Sequence, residues 1–177
     1  MKIEEGEIEG VIYHHGTTSV DLRGKFKKFY SENWKFAKNF STSEVFLSTS
    51  LAGVLRGMHL QINDSANDRI VSVLQGEILD VLIDLRRDSP TFLKIQQMNM
   101  GADLDNTVFI PAGVAHGFQA LMDSTTLYLS SKSYSAENDV GIDALSFGLN
   151  WPISNYIRSQ RDLTLPPLEE WFTKKLW

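Results

Sequence analysis

The chain has 177 residues, roughly one domain at about 150 residues each, with 42% apolar and 22% charged side chains, a composition that excludes disorder and collagen-like repeats. With no cysteine, it excludes disulfide frameworks, thiolate nucleophiles and Cys-ligated zinc or iron–sulfur sites. A formal net charge of −5 provides no global positive field for nucleic acid or an anionic membrane, so neither is an expected partner.

Met1 to Gly10 carries four glutamates and no apolar run, unlike a secretory signal or transit peptide. No stretch approaches the ~18 apolar residues of a membrane span, so a cytoplasmic protein is expected. Ile8 to Tyr13 is apolar enough for a strand, and Ser31 to Phe40 is a candidate helix. Turn signals recur along the chain at Leu22-Arg23-Gly24, Leu51-Ala52-Gly53, Gln75-Gly76, Asp88-Ser89-Pro90, Pro111-Ala112-Gly113, Met122-Asp123-Ser124 and Val140-Gly141. Short β-branched and aromatic runs lie between them, which predicts an all-β sandwich or barrel. The clearest strand pair is Arg69 to Leu74 and Glu77 to Leu85, joined at Gln75-Gly76. In the second strand Leu79, Val81, Ile83 and Leu85 form an apolar face, predicted to pack on a partner sheet. Ile78, Asp80, Leu82 and Asp84 alternate on the other, predicted to look into something wetter. Leu93 to Met100, Thr107 to Ile110, Gly117 to Met122 and Thr126 to Tyr134 read as further strands. Leu168, Trp171, Phe172 and Leu176 recur near helical spacing, with Glu169 and Glu170 before Lys174 and Lys175, the order the helix dipole favours.

Two histidines stand in suggestive settings. His59 follows Gly53-Val54-Leu55-Arg56-Gly57-Met58, where a glycine inside a strand predicts a bulge or a close backbone approach that re-aims its neighbours. His116 follows Pro111-Ala112-Gly113-Val114-Ala115, a tight turn feeding a strand. Either alone reads more readily as a structural histidine. Tyr128 and Tyr134, at even spacing in one strand, are expected on one polar face. They are either a proton donor and a ring platform or an ordinary half-buried surface.

Taken together, the ordered segments resemble the dTDP-4-dehydrorhamnose 3,5-epimerase family of the cupin superfold. The segments run from Asp21-Leu22-Arg23-Gly24-Lys25-Phe26 through the stretches around His59, Val73 to Arg86 and Asp88 to Phe92. They continue through Ile110 to Phe118, Leu127-Tyr128, Tyr134, Gly141-Ile142 and Trp151-Pro152 to Ser159-Gln160-Arg161-Asp162. The resemblance implies a single jelly-roll (double-stranded β-helix) domain over 1–177, with a barrel core at roughly 20–150 and the segment 151–177 packed on it. It implies an isomerase that abstracts a proton beside the C4 ketone of a nucleotide-linked 4-keto-6-deoxy sugar, with His59 as base, Asp162 as its supporting carboxylate, Tyr128 as acid on the other face and Arg69 beside the enolate. Arg23, Phe26, Arg56, His116, Tyr134, Asp139 and Arg161 match substrate-binding positions. A homodimer with its N-terminal strand exchanged is implied, and no cofactor. Metal-binding cupins use a His-x-His pair that Gly57 and Gln61 break around His59, so no metal is expected. Five positions depart from the family pattern: Arg69 replaces a lysine, Glu44-Val45-Phe46 replaces Gln-Asp-Asn, and Lys28 replaces a glutamate. Two further readings remain, a 3- or 5-epimerase alone on a GDP- or CDP-linked sugar, and a non-catalytic sugar-nucleotide-binding cupin.

Overall fold

Alternating side chains along short β-branched runs fold into strands whose two faces meet different surroundings, and that difference positions the site. The structure is a computed structural model that describes residues 2–16, 18–34 and 39–173. Its strands are β1 (Lys2–Glu5), β2 (Ile12–His15), β3 (Ser19–Asp21), β4 (Gly24–Phe26), β5 (Glu44–Ser50), β6 (Leu55–Gln61), β7 (Arg69–Gln75), β8 (Glu77–Asp84), β9 (Ile95–Gly101), β10 (Asn106–Ile110), β11 (Val114–Ala120), β12 (Ser124–Ser130) and β13 (Asp139–Gly141), followed by one short helix, α1 (Leu168–Thr173). A six-stranded sheet in the order β1-β2-β10-β7-β12-β5 faces a five-stranded sheet in the order β13-β6-β11-β8-β9, with β3 and β4 as a separate hairpin. Every named strand pair is antiparallel, and the two sheets form a cupin-type jelly roll. The expected helix at Ser31 to Phe40 falls partly on 35–38, and the last turn expected around Leu176 falls on 174–177, outside the described residues.

The core between the sheets takes Tyr13, Val71, Val73, Val108 and Ile110 from one sheet and Ile78, Leu82, Met100 and Phe118 from the other. Each fully buried aliphatic or aromatic side chain of this kind contributes about 1.5–3 kcal/mol. The predicted faces of β8 are the reverse of expectation. The mixed face, with Ile78 and Leu82, points into the space between the sheets, where Asp80 meets His116 at 2.5 Å. The apolar face of Leu79, Val81, Ile83 and Leu85 looks outward and is covered by Trp151 and Trp171 of the C-terminal segment. The interior carries polar groups because one end of it is a cleft, so the purely apolar face had to find its cover outside.

The expected pairing of β7 with β8 is also corrected. Gly76, at φ +75°, turns the chain from one sheet into the other, and a side chain there would run into Asp123 and Ser124. Only glycine takes that φ without strain. Ile8, Val11 and Tyr13 of the N-terminal segment are buried in the core, and β2 pairs with β10 of the same chain. Among the described residues no helix is long and apolar enough to cross a membrane.

Candidate active site

A cleft of about 310 Å³ opens between the sheets, lined by inward side chains of β5, β6, β7, β11 and β12. His59 reaches it from β6 because of Gly57. There φ is +110°, and a Cβ would lie 2.6 Å from the Cα of Gly117 on β11. The register between β6 and β11 shifts between His116 and Phe118, the bulge that the sequence predicts. We expect Gly57→Ala to cost about 1–3 kcal/mol, since the methyl must displace packed backbone in a φ region that favours glycine. Thermal denaturation checks this, and a melting curve like the wild type would refute it.

His59 stands directly opposite His116 across β6 and β11, and each has its own carboxylate. The Nε2 of His59 is 2.6 Å from Oδ1 of Asp162, and the Nε2 of His116 is 2.5 Å from Oδ1 of Asp80. Asp162 is buried, which alone would raise its pKa, but the His59 imidazole, the Gly57 N–H and the Ser159 hydroxyl together hold it below the usual carboxylate range. An ionised Asp162 accepts a hydrogen bond from the Nε2–H of His59, so Nδ1 is the ring nitrogen left for another partner. Arg158 fixes the segment from behind, donating from Nη2 to the Asp162 carbonyl and to Asp143 Oδ1, both at 2.6 Å.

Tyr128 enters from β12. It is 9% exposed, and burial pushes its phenol up to about 12, opposed by Ser48, Arg69 and Arg56 nearby. Its ring lies flat against Phe46 at 4.9 Å and meets His116 edge-on at 6.1 Å. Arg69 opens β7 and is partly buried. Burial lowers its pKa, while Tyr128, Asp80 and Asp139 work the other way, and the guanidinium keeps its charge at any ordinary pH. Its Nη2 donates to the His59 and Val114 carbonyls at 3.3 and 3.1 Å. Among the described residues neither its Nε nor Asp80 Oδ2 has a hydrogen-bond partner, a pattern more typical of a binding site than of a finished core.

The wider wall is cationic. Arg56 donates to the Ser50 hydroxyl and the Thr49 carbonyl, and Lys132 to the Asp64 carbonyl, so the partners of both are neutral oxygens. Arg161 pairs with Asp139 at 2.8 Å, and the Asp139 carboxylate raises the pKa of the exposed Tyr134 phenol. Tyr134 lies beyond the end of β12, so it does not share a strand face with Tyr128 as expected, although both line the cleft. Arg23 and Phe26 are not brought to this cleft. They sit exposed on the β3–β4 hairpin, where Arg23 pairs with its neighbour Asp21 at 2.6 Å. Among the described residues no three metal-ligating side chains come together.

The sequence does not single out Asp80 as part of the site, nor the contact between Phe46 and Tyr128. Asp80 lies diagonally across β8 and β11 from His116, which only the register reveals. Phe46 was visible as a departure from the family pattern, but its pairing opposite Tyr128 was not.

The chain matches the family model for dTDP-4-dehydrorhamnose 3,5-epimerase over residues 5–170. It belongs to that family. The epimerase of Sinorhizobium fredii is 34% identical over 159 residues, covering 85% of this chain and 80% of the relative. Among solved structures, the Mycobacterium tuberculosis rmlC epimerase superposes with a TM-score of 0.92 at 31% identity, covering 99% of this chain and 92% of that one. ChmJ, a 3′-monoepimerase from Streptomyces bikiniensis in complex with dTDP-quinovose, superposes at 0.89 and 27% identity, covering 96% and 89%. The protein is therefore an isomerase of the epimerase type, and its cleft is the place to look for the proton transfers that such an enzyme performs.

Proposed function

We propose that the protein epimerises a dTDP-linked 4-keto-6-deoxyhexose at C3, C5 or both, by proton abstraction and return on opposite faces of the sugar. The observation that carries this reading is the His59–Asp162 pair sharing one cleft with a buried, protonated Tyr128. A C–H beside the ketone is a weak acid, so the reaction needs a base, a stabiliser for the enolate oxygen and an acid. Nδ1 of His59 takes the proton, and the C–H electron pair becomes the C=C of an enolate whose charge rests on O4. Arg69 and His116 support that oxygen. The Tyr128 O–H then gives its proton to the opposite face of the carbon, the enolate collapses to the ketone, and His59 and Tyr128 reset by exchange with water. No electrons are gained or lost overall.

Arg56, Lys132 and Arg161 give the anionic diphosphate its local positive charge in a chain of net charge −5. The dTDP of the ChmJ complex supports that nucleotide here. Arg23 and Phe26 act across a homodimer, from a hairpin whose Val20, Leu22 and Phe26 are exposed. Light scattering should return the mass of a dimer, and a monomer at working concentration would remove this role for the hairpin.

The decisive experiment is incubation with dTDP-4-keto-6-deoxyglucose in D2O, read by NMR and mass spectrometry. Deuterium is expected at C3, C5 or both. If folded protein exchanges no deuterium into any dTDP-, GDP- or CDP-linked 4-keto sugar, the reading fails and a binding-only cupin takes its place.

A further inference from the structure

We infer that Phe46 is a positioning residue for the proton return, holding the Tyr128 phenol in place through a flat ring stack. This rests on the function proposed above and concerns only its second half. The edge strand β5 turns Glu44, Phe46 and Ser48 toward the cleft, while Val45 and Leu47, 61% and 60% exposed, look out. Phe46 and Tyr128 are directly opposed in the β5–β12 register, so their backbones already set the two rings side by side. The rings are 4.9 Å apart and within 8° of parallel. Stacking of this kind adds to burial and biases a ring toward one orientation.

Tyr128 also meets His116 in a T-shaped contact, with ring centroids 6.1 Å apart, and Asp80 in turn fixes that imidazole. The phenol ring thus has one stacked and one edge contact, and rotation about χ1 or χ2 would disturb them. Phe46 offers no hydrogen bond and no titratable group, so its contribution to chemistry passes through Tyr128. The residue directly across the strand pair from the Phe46 ring is the proposed acid. Misplacing a reacting group by an ångström is enough to lose about a hundredfold in rate. The expected signature is therefore selective. Without Phe46, His59 still removes protons and returns deuterons to the same face, while return from the Tyr128 face slows.

The test compares two rates on one substrate in D2O: deuterium incorporation with retained configuration, and formation of the epimer. In Phe46→Ala the ratio of exchange to epimerisation should rise by about ten- to a hundredfold. Phe46→Tyr, which keeps a flat ring at the same place, should restore the wild-type ratio. Phe46 is 47% exposed at a sheet edge, so these variants should fold, and Phe46→Leu, which fills the space without a flat ring, should shift the ratio in the same direction as alanine. An unchanged ratio in the alanine and leucine variants, or a tyrosine variant as impaired as alanine, overturns the inference. Absence of any exchange in the wild type overturns the proposed function instead, and this inference with it.

Discussion

His59→Ala should abolish solvent exchange into the sugar, lowering it by about two to four orders of magnitude, the range a positioned general base supplies. The substitution removes the imidazole whose Nε2 is held by the buried Asp162 carboxylate and which lines the cleft. His116 stands opposite on the neighbouring strand, but its Nε2 is held by Asp80 of β8, not by Asp162, and it does not replace the lost base. Asp162 keeps the Gly57 N–H and Ser159 as partners, so the variant should fold with a modest loss of about 1–3 kcal/mol from its weakened shell. The measurement is deuterium uptake at saturating substrate, with the melting temperature recorded alongside. Wild-type exchange in a folded His59→Ala protein would show that another group is the base.

Tyr128→Phe should separate the two halves of the reaction. It deletes one oxygen and leaves the ring, so the stack on Phe46 and the edge contact with His116 both survive, and no cavity larger than a hydroxyl forms. Exchange by His59 should continue, while net epimerisation falls by about two to four orders of magnitude at the carbon that Tyr128 serves. Product stereochemistry identifies that carbon and so distinguishes a double epimerase from one acting at a single centre. Because burial holds the phenol protonated up to about 12, the tyrosine is a proton source throughout the neutral range. Equal losses of exchange and epimerisation would mean that the hydroxyl acts before the enolate forms, against the assignment.

The sequence exposed the chemistry more fully than the topology. Gly57 announced the bulge that aims His59, and family likeness linked His59 to Asp162 across 103 residues. The strands themselves were legible from alternation, yet their partners were not. Gln75-Gly76 looks the same whether it closes a hairpin or turns a corner between sheets, since both need a positive φ at the glycine. On β8 the apolar face suggested the interior, but the interior holds Asp80, and the pattern of one strand cannot tell which face a distant tryptophan will cover. Register decides such matters, and register is a property of two strands. The same holds for Phe46 and Tyr128, which are 82 positions apart by number and directly opposed in the sheet.

The covering of the outer β8 face by the C-terminal segment has a consequence for how the enzyme comes into being. The same segment that buries Trp151 and Trp171 against the sheet also brings Asp162 to His59. The sheets are made almost entirely before residue 142, whereas the base acquires its carboxylate only when the chain has been synthesised past residue 162 and has wrapped back over the barrel. On the proposed assignment, a chain that has formed only the strands and the cleft still lacks the carboxylate that orients its base, because that contact spans 103 positions and carries the loop-closure cost of a long-range pairing.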